Sequence, residues 1–228
     1  MMDNIASSGS ESDFCEYWVD MFLSIKGNEF FCQVDEDYMQ DRFNLTGLEA
    51  EVDYYIKALR RITDHEVEIR DKYMDQKVEE SARHLYGLIH ARYILTNRGL
   101  HKMLEKYRRG DFGRCPRYYC NQQPLLPIGM TDEPKKEPVK LYCCSCEDVY
   151  NPKSNRHNAI DGAYFGTSFP GMLFQVYPSY KPDNSSKPYY IPKMFGFKIY
   201  ESAELLRWRE KMRDEQVLKI KETLQQLE

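Results

Sequence analysis

The chain has 228 residues, 42% of them hydrophobic and 30% charged, with a formal net charge of −4, so it can bury a sizeable core. No apolar run approaches the roughly 18 residues of a membrane span, and the opening "MMDNIASSGSESDF" lacks the basic and apolar stretches of a secretory leader. The expectation is a cytoplasmic and nuclear protein with no membrane contact, in a compartment where disulfides seldom persist.

Charge is unevenly spread. Residues 1–100 carry 11 Lys+Arg against 20 Asp+Glu, and residues 101–228 carry 21 against 16. Such asymmetry points to parts with different partners. Residues 1–13 are Ser-, Gly- and acid-rich and are expected to be a disordered acidic tail.

Helical spacing then takes over. Phe14, Trp18, Phe22 and Ile25 share one face of a helix that Asp13 can cap. Asp35, Glu36, Asp37 and Asp41 gather in "DEDYMQD", where acids in a first helical turn favour its N-terminus. Val52, Tyr55, Ile56, Leu59 and Ile62 repeat the 3/4 spacing, as do Val78, Ala82, Leu85 and Ile89. Thr96 can cap a helix carrying Leu100, Met103, Leu104 and Tyr107, which Gly110 stops. Residues 14–109 therefore read as a helical domain.

The texture changes at Gly110. Prolines, glycines and aromatics multiply, and short β-like runs appear: "VKLYC", "DVYNP", "GFKIY". The last 28 residues lack Gly and Pro and form a helical tail. Leu205, Trp208 and Met212 hold one a/d phase and Val217, Ile220, Leu224 and Leu227 another, so no uniform coiled coil is expected.

Cysteines are the chemical signal. Cys115, Cys120, Cys143 and Cys146 stand as C-x4-C-x22-C-x2-C, two short turns that can aim four thiolates at one point. Zinc takes four soft ligands at tetrahedral vertices, and an all-cysteine set reads as a closed structural site, one Zn²⁺ per chain. Cys144, next to Cys143, should point elsewhere; a Cys144–Cys146 ligand pair and a 143–144 disulfide are the alternatives. Arg114 and Arg117 suit the surroundings of a tetrathiolate site with net charge −2. Cys15 and Cys32 lie in apolar stretches and read as small buried hydrophobes. The five histidines show no ligand spacing and read as surface or helix residues.

Other chemistry is excluded or weak. The chain has no Gly-rich phosphate loop and no HRD, and its one DFG triplet, Asp111–Gly113, stands without either of them, so it is not itself a kinase. Lys102, Lys106, Arg108, Arg109, Arg114 and Arg117 interleave with Tyr107, Phe112, Tyr118 and Tyr119. A nucleic-acid-binding ribbon is one reading of that pattern, against the acidic balance of the whole.

Seven blocks then carry a family. "KGNEFFCQVDEDYMQDRFNLTGL", "LYGLIHARYILTNRGL", "MLEKY..GDFG.CPR.YC", "LPIG", "VKLYC..C.DVY.PKS.RH", "DGAYFGTSFP" and "FGFKIY" resemble the regulatory beta subunit of casein kinase II, in order from about residue 18 to 200. The resemblance implies an α+β fold: an all-helical N-terminal domain, a four-cysteine zinc-ribbon domain (110–178) through which two copies dimerise, and a C-terminal hairpin and helix tail (179–228). It implies a non-catalytic chain that joins two catalytic kinase subunits in a heterotetramer and steers protein substrates.

The family's zinc cysteines fall on the same four positions, and Cys144 falls where the family usually has proline. Its kinase-docking hairpin maps to "KMFGFKIY", with Phe195 and Phe197 as anchors and Met172 nearby; period-2 alternation alone would instead bury both phenylalanines on one face. Tyr is common in the family at Phe195. Three further departures stand out: Arg70, Lys72 and Lys77 dilute its acidic, polyamine-binding loop; Arg108–Arg109 replaces neutral residues typical of the family; and the charged tail helix is unlike its usual C-terminus. Those at Phe195, the loop and the tail leave open a divergent paralogue acting as a kinase-independent adaptor. Ser8 and Ser10 have Glu11 and Asp13 three residues on, the pattern an acidophilic kinase phosphorylates.

Overall fold

The computed structural model describes residues 17–69, 71–182, 193–198 and 204–225. They fall in two compact units, residues 1–185 and 186–228.

In the first unit the longest element is α4 (Lys72–Tyr93), opened by Asp71, whose carboxylate accepts from the Tyr73 N–H at 3.1 Å. Val78, Ala82, Leu85 and Ile89 lie fully buried along it, as their spacing predicts. Helix α5 (Asn97–Arg109) begins four residues after α4 ends. Thr96 caps it by accepting from the Gly99 N–H, and Gly110 ends it at φ 80° with its N–H on Lys106 O. Gly99 is required there, because a Cβ would run into the Tyr93 carbonyl.

Two expectations are corrected. Helix α1 (Trp18–Ser24) opens behind an extended Tyr17, so Tyr17 and not Asp13 is its N-cap; Ile25 lies beyond its end, exposed. Residues 1–16 are outside the described residues, Cys15 among them. Helix α2 (Glu36–Gln40) has Glu36 and Asp37 in its first turn as expected. Helix α3 (Tyr55–Ile62) buries Ala58 and Ile62 and leaves Ile56 67% exposed, because the helical step puts Ile56 roughly 200° round from Ala58, off the buried face. Arg61 of α3 pairs with Asp75 at 2.5 Å and lies 3.6 Å from Glu79, tying α3 to α4.

His90 stands on helix α4, within the surface-or-helix reading, and is fully buried there: its Nε2 accepts from the Cys32 N–H at 3.1 Å and its Nδ1 donates to Tyr164 O at 2.9 Å. Burial holds the imidazole down at about 4, against 6.5 when free. Cys32 is buried as expected, and burial pushes its thiol up to about 12. Tyr86 completes the network, its hydroxyl donating to Cys32 O and accepting from the Val34 N–H.

Beyond Gly110 a three-stranded antiparallel sheet forms from β1 (Leu126–Ile128), β2 (Lys140–Cys143) and β3 (Asp148–Tyr150), in that order. Its register pairs Leu126 with Tyr142 and Cys143 with Asp148. The helices and the sheet share one hydrophobic core, running from Trp18 and Leu85 through Phe112 to Leu141 and Phe174. Gly87 lets the Tyr164 ring lie against α4, since a Cβ there would come within 2.5 Å of it. Helix α6 (Phe169–Val176) closes this layer, burying Phe169, Leu173 and Phe174.

In the second unit β4 (Lys193–Met194) and β5 (Phe197–Lys198) pair antiparallel, with Met194 opposite Phe197. Helix α7 (Glu204–Gln225) occupies the expected tail, with Trp208, Met212, Val217 and Ile220 exposed. Among the described residues no helix is long and apolar enough to cross a membrane.

Candidate metal centre and exposed hairpin tip

Two tight turns bring the four cysteines together. In the first, the Cys115 N–H donates to Gln123 O at 2.8 Å and the Gln123 N–H to Cys120 O at 2.9 Å. The intervening residues fold into a short 3-10 turn, Tyr118–Cys120, and Asn121 and Gln122 take left-handed φ of 48° and 55°. In the second, β2 ends at Cys143, and the Glu147 N–H returns to Cys143 O at 2.8 Å before β3 starts.

The sulfurs of Cys115, Cys120, Cys143 and Cys146 all lie within 4.8 Å of one another, and Cys115 Sγ is 3.8 Å from Cys146 Sγ. A tetrahedron with metal–sulfur bonds of about 2.3 Å has edges of about 3.8 Å, so the donor set can hold a metal ion of zinc's preference. Cys115, Cys120 and Cys143 are buried and Cys146 half-buried, which leaves little room for a fifth ligand. Burial pushes the Cys143 thiol up, while the backbone N–H groups of Cys146 and Ser145 pull it down by hydrogen-bonding its sulfur.

Cys144 is buried and stands outside the cluster. Its Sγ lies 3.4 Å from the Tyr107 hydroxyl, which also accepts from Gln123 Nε2 at 2.6 Å. Cys144 thus contacts α5, and the alternatives that made it a ligand or a disulfide partner do not describe the structure. The Tyr150 hydroxyl is 3.1 Å from Cys146 Sγ. Arg117 pairs with Asp148 at 2.7 Å beside the cluster, and Arg114 donates to Gln122 O. Tyr107 and Tyr150 went unread in the sequence as neighbours of the site. Nothing in a 3/4 or period-2 pattern says which end of a buried tyrosine meets a sulfur.

The hairpin tip is a different kind of site. Phe195 and Gly196, between β4 and β5, take φ of 51° and 84°, the left-handed pair of a two-residue I′ turn. Phe195 is 93% exposed. It therefore does not alternate into a buried face with Phe197, and the burial that period-2 spacing alone would give is overturned at Phe195. Phe197 stands at its register position in β5. Met172, in the first unit, is exposed on α6. Ser8 and Ser10 lie outside the described residues.

The basic run 102–117 does not form one free patch. Lys102 pairs with Asp35 at 2.6 Å, Arg109 with Asp111 at 2.8 Å and Arg117 with Asp148, so three of its six cations are held by carboxylates.

Comparison with known proteins follows the same geometry. The model of the casein kinase II regulatory subunit family matches residues 17–198. Casein kinase II subunit beta-2 of Neurospora crassa is 58% identical over 94% of this chain and 74% of its own length. Casein kinase II subunit beta of Schizosaccharomyces pombe is 57% identical over 92% and 90%, and subunit beta' of Saccharomyces cerevisiae 48% over 93% and 83%. The α+β architecture, the four-cysteine cluster and these likenesses converge: the chain belongs to the casein kinase II regulatory subunit family.

Proposed function

We propose that this regulatory, non-catalytic subunit works as a zinc-dependent scaffold: two copies join through their ribbons, and each engages one catalytic kinase subunit through the hairpin tip. Cys115, Cys120, Cys143 and Cys146 hold the zinc, which supplies a rigid structural crosslink and no reaction chemistry. A regulatory subunit of this family has a catalytic subunit to regulate, and the fully exposed Phe195 is the observation that carries the docking assignment. A large aromatic held out on a two-residue turn gains its burial only from a partner, and desolvated aromatic anchors dominate interface energetics. Met172 and Phe197 are assigned to the same docking function, and Ser8 and Ser10 to phosphorylation by the partnered kinase.

The exposed Tyr118 and Met130 of the ribbon suit an interface between copies. The reading extends to cytoplasm and nucleus, where free thiols remain available to a metal. The test is Cys115→Ser: zinc, the ribbon dimer and assembly with the catalytic subunit should be lost together. A variant that loses zinc and stays dimeric would contradict the mechanism.

A further inference from the structure

In the first unit a groove of about 860 Å³ runs between α2 and α3, lined by no residue of the ribbon. Its floor is apolar: Met39, Leu45, Ile56 and Leu59. Ile56 is the residue that α3 turns away from the core, an apolar side chain presented where burial on folding is not achieved. Arg42 and Arg60 line the groove with Glu49 as its one carboxylate. Both arginines are exposed, and neither has an ion pair among the described residues, whereas the adjacent Arg61 is held by Asp75. Glu66 and Glu68 lie beyond Arg60, on the side where Lys57 stands.

One end of the groove is formed by Thr63 and His65. Between them, Asp64 turns at φ 54° and accepts the Trp18 N–H at 2.8 Å. The described chain therefore begins beside the groove's own end. The residues before it carry Asp3, Glu11, Asp13 and Glu16 with no Lys or Arg, and apolar Met1, Met2, Ile5 and Phe14. Sixteen residues extend up to about 50 Å at roughly 3.3 Å each, ample to run along a groove that starts where they end. Volume, apolar floor, unpaired cations and an acidic segment tethered at the mouth all suit one occupant.

We infer that residues 1–16 of the same chain dock in the α2–α3 groove, apolar side chains on its floor and carboxylates against Arg42 and Arg60. Tethering makes the contact intramolecular, so weak individual pairs suffice. Added negative charge at Ser8 and Ser10 tightens it. That last step rests on the kinase reading for its supply of phosphate; the docking does not.

The test uses the full chain with p-benzoylphenylalanine placed at position 14 and, separately, at position 5, in a mixture of isotope-labelled and unlabelled copies. Photocrosslinks within one copy, to residues 39–65, are expected. They should fall at least tenfold in Arg42→Glu/Arg60→Glu, whose exposed positions leave the fold intact by circular dichroism. Ser8→Glu/Ser10→Glu should raise the yield severalfold. Crosslinks to another copy, to other parts of the chain, or none at all would overturn the inference, as would a yield indifferent to the charge reversal. Because kinase assembly is not read, failure here leaves the scaffold assignment untouched.

Discussion

The cysteine centre and the hairpin tip are opposites in design. The first gathers four residues from two turns with 22 residues between them into a cluster that shares the core with α5 through Tyr107 and Cys144. The second puts one phenylalanine on the outside of a two-residue turn. A closed site stabilises the chain that carries it; an exposed aromatic tip adds little burial to its own fold, and the proposed docking would give it that burial from a partner. The comparison teaches where damage should be felt. Changes at the cluster should be read in folding, and changes at the tip in assembly.

The largest effect should come from the metal. Structural zinc in a four-thiolate site supplies on the order of 10–16 kcal/mol of apparent folding free energy. Chelation, or Cys115→Ser, should therefore unfold the ribbon, seen as lost metal by elemental analysis and a collapsed melting transition. Cys144→Ser sharpens the point, since it sits one residue from a ligand and outside the cluster. It should keep one metal per chain, while Cys143→Ser keeps none.

A second effect resides wholly in the core. The unfolded His90 imidazole binds its proton near 6.5 and the folded one near 4, so the unfolded state takes up more protons on acidification. The stability this gives is complete above about pH 6.5 and is lost as pH falls towards 4, up to about 3 kcal/mol. Denaturant titrations across that window should show the slope, and His90→Gln, less stable at neutral pH, should flatten it.

At the tip, Phe195→Ala should weaken binding to the catalytic subunit by about 2 kcal/mol or more, some thirtyfold, with no change in melting temperature. Calorimetry of binding and of unfolding on the same sample separates the two. If melting falls and binding does not, the contrast between the sites is wrong. The smallest change is Thr96→Ala, which removes the cap of α5 and should cost about 1 kcal/mol in chemical denaturation, with metal content unaltered.

How much of this was legible in the sequence depends on the kind of interaction. The cysteine spacing named its four residues because ligands must converge, and Thr96 and Gly110 bounded α5 because caps are local chemistry. The buried face of α4 followed from its periodicity. Ile56 and Phe195 did not follow theirs: the buried face of α3 runs through Ala58 and Ile62 and leaves Ile56 off it, and Phe195 sits in a turn of positive φ that takes it out of the strand alternation. For His90 the helix reading held, while its burial and its partners were not legible. A histidine on an apolar helix face looks unremarkable until the chain brings the Cys32 N–H and the Tyr164 carbonyl to its two nitrogens, 58 and 74 residues away.

The most direct test is the native mass of the chain with an equimolar catalytic subunit, wild type and Phe195→Ala side by side, with metal read from the same spectra. The account predicts one zinc per chain in both, a two-plus-two tetramer for the wild type, and a zinc-loaded dimer for Phe195→Ala at the same concentration. A zinc-loaded wild-type dimer that ignores the catalytic subunit, or a Phe195→Ala chain that assembles like the wild type, would contradict it.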